Sequence, residues 1–377
     1  MNGKYWPDSS AYPEGRLFSL DLLRGLDVFW LVILHPLLNA AHRTWSLPDF
    51  WQIDHCWGVF GPFDFAQPLF VFICGAAVPF ALPKRLDADG RPGRALWSHV
   101  LGRVALLWAC GWLIRDALAF NLSRFTPYSD TLQTVAVGYL FACLAFFIRS
   151  RAVRIALPVV LVVAYAALLA VFGDYTPKGN FARIVDERVF GAIGCKAKDF
   201  TYCLTTMVWA ALGMFGSLVS RFLKSDRSVK AKAWILAAVG VGLIAAGEIL
   251  AIRIPVIRHI YTISFVARTM GMSVLLLTVL YVLTDIRRHR SHLGVFLLFG
   301  QYGLAAWMLF FFCYKARFAV AERFTAGFTV LFGSSKYTAF GNSVFAALVI
   351  FAALVVWRGW KNWCATVDRA RKSEDRG

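Results

Sequence analysis

The chain has 377 residues, of which 59% are hydrophobic and only 16% are charged. A soluble domain carries about 25% charged residues, so this composition excludes an ordinary soluble enzyme. The formal net charge is +18, but the Lys and Arg residues come in short clusters between apolar runs. Such clusters set membrane topology and meet anionic headgroups, so nucleic acid is not expected as a partner.

Apolar runs of roughly 18–22 residues recur along the chain, each long enough as a helix to cross a hydrocarbon core about 30 Å thick. The sequence therefore predicts an all-α, polytopic membrane protein with about ten transmembrane helices. We assign a cytosolic N-terminal segment to 1–16, the transmembrane domain to 17–357 and a basic cytosolic tail to 358–377. The predicted helices cover 17–38, 63–83, 96–119, 130–148, 152–173, 202–222, 232–252, 261–284, 293–313 and 337–357.

The connections between these predicted helices alternate in charge. Those on one side are short and basic, for example 84–94 and 287–290, which is the positive-inside pattern and predicts that both termini are cytosolic. Three connections on the other side are long, at 39–62, 174–201 and 314–336, and they are rich in Trp, Asp, Asn and Gly. Long loops of mixed polarity are where a site for a polar external ligand is expected.

The first predicted helix carries charged side chains where charge is expensive in a membrane. At 100° per residue, Arg24 and His35 lie within about 20° of one face and roughly 16 Å apart, and Asp21 and Asp27 flank Arg24. Such a stripe is expected to line an internal cavity, with Pro36 ending the helix and leaving His35 accessible to water. The alternative is that Asp21, Arg24 and Asp27 form an ion cluster that only fixes helix packing.

A second polar region is Asp54-His55-Cys56-Trp57-Gly58. Because imidazole titrates near neutrality, His55 is a candidate to take a proton from an acceptor hydroxyl or amine; the alternative is an interfacial histidine beside an aromatic belt residue. Farther along, Arg103 and Arg268 are candidates for anion binding, since guanidinium holds phosphate bidentately. Arg268 has the alternative of pairing with Glu248.

Two parts of the sequence resemble known membrane acyltransferases. Leu20-Asp21-Leu22-Leu23-Arg24-Gly25, continuing to His35, is similar to the first helix of the acyltransferase-3 family. The segment from His55 resembles the heparan-α-glucosaminide N-acetyltransferase family, whose pattern is roughly H-x-x-W-x-G, an Asp, then F-P-x-F-x-F-I-x-G. The residues that carry this second likeness are His55-Cys56-Trp57-Gly58, Asp64, Gln67-Pro68-Leu69-Phe70-Val71-Phe72-Ile73-Cys74-Gly75, Arg103 with Gly111, Leu132-Gln133, Gly179-Asn180 with Asp186, and Tyr261-Thr262-Ile263-Ser264-Phe265-Val266.

The sequence also departs from the glucosaminide family pattern. His35 stands where Asn is usual, Gln67 replaces a Phe, and Thr134 replaces an Arg. Gly300-Gln301-Tyr302-Gly303 stands where Gly-x-Asn-Ser/Ala is common. These changes leave the expected reaction class in place and bear on which sugar is the acceptor.

The resemblance implies transfer of an acetyl group from cytosolic acetyl-CoA, across the bilayer, to a sugar amine or hydroxyl on the outer side. The acceptor is expected to be a sugar or oligosaccharide. The resemblance and the charge pattern together assign the chemistry to His55, assisted by His35; the acetyl-CoA side to Arg24, Arg103 and Gln133; and the acceptor pocket to Asp64, Asn180 and Asp186.

A secondary transporter that uses the same intramembrane charges is the alternative from another class, although such folds tend to show repeats and broken helices. Membrane lipids are expected partners, and a homodimer is compatible with the sequence. No metal site is predicted, since the eight cysteines include no CxxC pair. We expect the protein in a bacterial inner membrane, and an organelle membrane is also compatible with the sequence.

Overall fold

The computed structural model describes residues 16–46, 56–115, 131–194, 203–312, 323 and 335–374, and over these residues the chain is all-helical, without a β-strand. The chain divides into two compact units, which we call unit 1 (1–53 with 288–377) and unit 2 (54–287). The helices are α1 (Phe18–Phe29), α2 (His35–Trp45), α3 (Ala66–Ala81), α4 (Arg94–Arg115), α5 (Thr131–Phe146), α6 (Arg151–Phe172), α7 (Phe181–Gly194), α8 (Thr206–Leu223), α9 (Val229–Ala251), α10 (Ile263–Leu280), α11 (Gly294–Gln301), α12 (Gly303–Phe312) and α13 (Ser335–Glu374).

Each of the ten predicted helices overlaps at least one of these helices. Among the described residues, seven helices are long and apolar enough to cross a membrane, or eight if the bent pair α11–α12 is one span. The protein is therefore a multi-pass, all-α membrane protein. The helix α7 lies in the connection 174–201, where none was predicted, and α13 continues past residue 358 to Glu374, so the expected boundary of the basic tail falls inside a helix.

Unit 2 is held together by helices that approach one another at glycines. In α3, α5 and α8, a Cβ added to Gly75 would lie 1.9 Å from the carbonyl oxygen of Gly213, and one added to Gly213 would lie 2.1 Å from that of Gly138. Gly240 of α9 and Gly271 of α10 meet in the same way. Small residues let helices pack closely where lipid removes the hydrophobic driving force.

In unit 1, α1 and α2 form a continuous helical rod that contains a π-helical turn at Trp30–Leu34. The N–H of His35 donates to the carbonyl of Trp30, five residues back. Proline removes a donor and clashes with the carbonyl of the preceding turn, and a wider π turn accommodates both effects. The expectation that Pro36 ends this helix is therefore wrong, and His35 lies inside the rod.

The π turn also changes which residues share a face. One extra residue in a turn rotates everything after it by about 100°, so Arg24 and His35 differ by about 80° instead of the expected 20°.

The single helix expected over 293–313 is also two helices, α11 and α12, bent by 78° around Tyr302. Gly300 and Gly303 flank the bend, and glycine is a weak helix former at which helices kink.

Candidate active site at one end of unit 2

A chain of buried polar side chains joins the starts of α3 and α5 to the connection before α10. The guanidinium Nε of Arg258 lies 3.5 Å from Asp64 Oδ1, and Arg258 Nη2 donates to Gln67 Oε1 at 3.3 Å. Gln67 Nε2 in turn donates to Thr134 Oγ1, also at 3.3 Å. The second oxygen of Asp64 accepts the N–H of Gly61 at 2.8 Å. We call Asp64, Gln67, Thr134 and Arg258 the polar chain.

Arg258 reaches the polar chain because the connection between α9 and α10, which carries it, folds back into the bundle. Ile257, Ile260, Tyr261 and Thr262 are all buried, and the backbone at Tyr261 has a φ of 46°, in the left-handed region. Thr262 Oγ1 accepts the N–H of Ile257 at 3.0 Å and donates to the carbonyl of Pro255, which closes the loop on itself.

The ion pair in the polar chain is well shielded from solvent. The side chains of Asp64 and Arg258 are 3% and 10% exposed. Burial lowers the pKa of Arg258, and the carboxylate of Asp64 opposes that effect. Burial also raises the pKa of Tyr261, which keeps its hydroxyl protonated. The site therefore brings together one carboxylate, one guanidinium, one amide and two hydroxyls.

Aromatic packing fixes the chain segment that follows His55. The ring of Trp57 stacks on that of His259 with centroids 5.0 Å apart, and Trp57 Nε1 donates to the carbonyl of Tyr175 at 2.9 Å. His259 is buried and adjoins Arg258 in the chain. His55 itself lies outside the described residues, so its catalytic role stays a prediction.

The expected acceptor residues Asn180 and Asp186 hold the local fold. Asn180 is the N-cap of α7: its Oδ1 accepts the N–H of Arg183, and its Nδ2 donates to the carbonyls of Thr176 and Pro177. Asp186 is buried, and its Oδ1 accepts the N–H of Cys203 at 2.9 Å, which ties α7 to the start of α8. Burial raises the pKa of Asp186 to about 6.

Arg103 and Gln133, the two residues of unit 2 that are expected to bind acetyl-CoA, lie apart from each other. Arg103 is exposed, with its guanidinium carbon 4.8 Å from the centroid of the Tyr139 ring on α5. Gln133 is buried and lies about 9 Å nearer the start of α5 than Tyr139, next to Thr134 of the polar chain. Arg268 pairs with Glu248 at 2.6 Å, which confirms the alternative for that residue.

In unit 1, only part of the expected ion cluster forms. Asp21 pairs with Arg24 at 3.2 Å and with Arg16 at 2.8 Å. Asp27 is buried, and neither of its carboxylate oxygens has a hydrogen-bond partner within the described part of the chain. His35 is half-buried. Asp21 thus lies between Arg16 and Arg24, which together keep one positive charge in excess, while Asp27 is a separate buried carboxyl.

Sequence reasoning did not select Arg258 or His259 as site residues. The available signal was their position immediately before the Tyr261–Val266 motif. Among the described residues, His, Cys, Asp and Glu side chains form no group of three that could hold a metal ion. Compared with known proteins, the chain matches no family model and no curated relative.

Proposed function

We propose that the protein is a transmembrane acetyltransferase that moves an acetyl group from cytosolic acetyl-CoA to a sugar amine or hydroxyl on the outer side. The observation that carries the proposal is the buried polar chain at the end of unit 2 reached by the segment that follows His55. Sugars are bound by such carboxylate, amide and guanidinium groups beside aromatic rings, because they need many directed hydrogen bonds.

In the proposed reaction, the imidazole of His55 takes the proton of the acceptor hydroxyl or amine, and the freed lone pair attacks the thioester carbonyl. The carbon–sulfur bond then breaks, and CoA leaves as a thiolate that regains a proton. A covalent route is the alternative: His55 first takes the acetyl group from acetyl-CoA, which releases CoA, and then transfers it to the acceptor. Asp64 and Arg258 orient the acceptor, Arg24 and Arg103 attract the phosphates of CoA, and His35 assists.

The membrane arrangement is part of this proposal. Ten crossings result if α5, which is apolar but has 16 residues, and the α1–α2 rod are added to the eight spans that include the bent pair. An even number, together with short basic connections on one side, gives cytosolic termini. A bacterial inner membrane meets these requirements, with the acceptor on its periplasmic side.

The decisive experiment supplies radiolabelled acetyl-CoA and a panel of amino sugars and oligosaccharides to the purified protein, with mass spectrometry of the products. We expect a labelled sugar with the wild type and none with His55→Ala, while the variant still binds CoA and stays folded. Full turnover by His55→Ala would remove that residue from the chemistry. No labelled product from any acceptor would refute the proposed function.

A secondary transporter remains the second candidate, and the 78° bend between α11 and α12 favours it. Broken helices expose backbone groups that coordinate substrates and ions in transporters. Flux of a polar solute into vesicles that contain no CoA would support this candidate. Label that moves from acetyl-CoA to a sugar, without solute flux, would support the enzyme.

A further inference from the structure

Two arginines and a histidine, on the turn after α3 and on the first half of α4, lie within electrostatic range of one another. Arg85 ends the 3₁₀ turn Leu82–Arg85 that follows α3, and His99 and Arg103 lie one turn apart on the same face of α4. The charges of Arg85 and Arg103 both act on the imidazole of His99 and on the hydroxyl of Tyr139. We call Arg85, His99 and Arg103 the basic ladder.

The exposure of Arg103 is unusual for its place on the helix. Val100 and Leu107, three residues before and four residues after it, are buried on the packed face of α4, and a residue between them on that stripe is expected to be buried too. Arg103 is nevertheless exposed. Its guanidinium lies against the buried ring of Tyr139, about 14 Å along the helix from Arg94. The guanidinium of Arg103 is therefore accessible from outside the bundle.

The basic ladder carries uncompensated positive charge. Within the described ranges, none of its three residues has a carboxylate at ion-pairing distance, because the ion pairs of unit 2 are formed by Asp64, Glu187 and Glu248. The carboxylate of Asp87, in the connection after Arg85, lies against Gly93 instead. Like charges held close together repel one another, and an anion placed between them removes that cost.

We propose that Arg85, His99 and Arg103 form a binding site for a phosphate ester, with the ring of Tyr139 as its floor. Arginine forks match phosphate oxygens bidentately, and the imidazole adds one more donor. Two sources share this chemistry: the phosphates of CoA and the headgroup phosphate of an anionic lipid. The inference rests on the proposed function only for the first source.

The test uses the full-length protein in lipid nanodiscs. One arm measures the Kd of CoA and of pantetheine, which lacks the phosphates, by calorimetry in phosphatidylcholine discs. The other measures, by native mass spectrometry, how strongly phosphatidate is retained in mixed discs. The variants are Arg85→Gln and Arg103→Gln, with Arg103→Lys to preserve the charge and Arg91→Gln, an exposed arginine of the same connection, as the matched control. Thermal melting verifies that each variant is folded.

We expect Arg85→Gln and Arg103→Gln each to weaken the phosphate-bearing ligand about tenfold, the effect of losing one charge-assisted contact. Arg103→Lys should recover part of the affinity, and Arg91→Gln should change it less than twofold. Loss of CoA affinity with unchanged pantetheine affinity identifies the CoA phosphates. Loss of phosphatidate alone identifies a lipid and leaves acetyl transfer to be judged by its own assay. The site is refuted if neither ligand responds more to the ladder variants than to Arg91→Gln.

Discussion

Replacing Asp64 with Asn tests whether the polar chain depends on a buried ion pair. The change keeps the size of the side chain and an oxygen that accepts the N–H of Gly61, but it leaves the guanidinium of Arg258 without its carboxylate. Burial already disfavours the charged form of Arg258, and Asp64 is the group that counteracts this. The variant therefore holds a buried guanidinium that has lost the carboxylate of Asp64 and keeps its bond to Gln67.

The magnitude follows from the burial of the pair. Breaking a buried ion pair by removing one partner costs about 3–5 kcal/mol, whereas an exposed pair contributes about 0–1 kcal/mol. The contact between Asp64 and Arg258 is long, at 3.5 Å, so we expect about 3 kcal/mol. The matched control is Glu248→Gln, because the pair with Arg268 is shorter, at 2.6 Å, but the Glu248 side chain is 53% exposed. We expect less than about 1 kcal/mol there.

The assay is equilibrium unfolding in mixed micelles, followed by tryptophan fluorescence, for both single variants and for Asp64→Asn combined with Arg258→Met. The double variant removes the uncompensated charge and should recover at least half of the loss, so the two changes should not add. Equal losses in Asp64→Asn and Glu248→Gln would show that burial does not govern these pairs. Additive losses in the double variant would show that Asp64 and Arg258 act independently.

Three further predictions concern the framework. The pKa of Asp186 is about 6 in the folded state and near 3.8 in the unfolded state. Because the folded state binds this proton more tightly, Asp186 makes its full contribution to folding stability below about pH 4. That contribution, up to about 3 kcal/mol, is lost as the pH rises to 6. The free energy of unfolding should therefore depend less on pH across this window in Asp186→Asn than in the wild type. Asn180→Ala should speed hydrogen exchange in α7 by about fivefold, the loss of about 1 kcal/mol of capping, and leave the KM for a sugar unchanged; a raised KM would return Asn180 to the acceptor site. Gly75→Ala should prevent folding or lower the melting temperature strongly, whereas Gly102→Ala, whose Cβ meets nothing within 4 Å, should not lower it; similar melting of both variants would contradict the glycine contacts.

Local patterns in the sequence predicted most of the helices. A run of apolar residues specifies a membrane helix wherever it packs, because the backbone must bond to itself in lipid. The pair Glu248–Arg268 could be foreseen as an alternative because few other charges are embedded nearby. The break at Tyr302 and the π turn before His35 were missed. Gly300, Gly303 and Pro36 lie at these places, but such residues do not by themselves determine whether a helix bends, widens or ends.

The polar chain could be predicted only in part. Asp64 was selected from its motif, but its partner Arg258 lies 194 residues farther along the chain and carries no periodic signal. Asn180 and Asp186 were assigned to the acceptor pocket from the family resemblance, and the structure shows that both also hold α7 in place. Residue type identifies which groups can bond, whereas the fold decides which of them are left for a ligand.

The length of α13 has a mechanical consequence. Forty residues in one helix span about 60 Å, twice the thickness of the hydrocarbon core. A flexible tail dissipates motion within a few bonds, but an unbroken helix carries tilt and axial rotation to its far end. Tilting this helix by 10° about one end displaces the other by roughly 10 Å, so a small change of tilt inside the bilayer moves its last turns by a large distance.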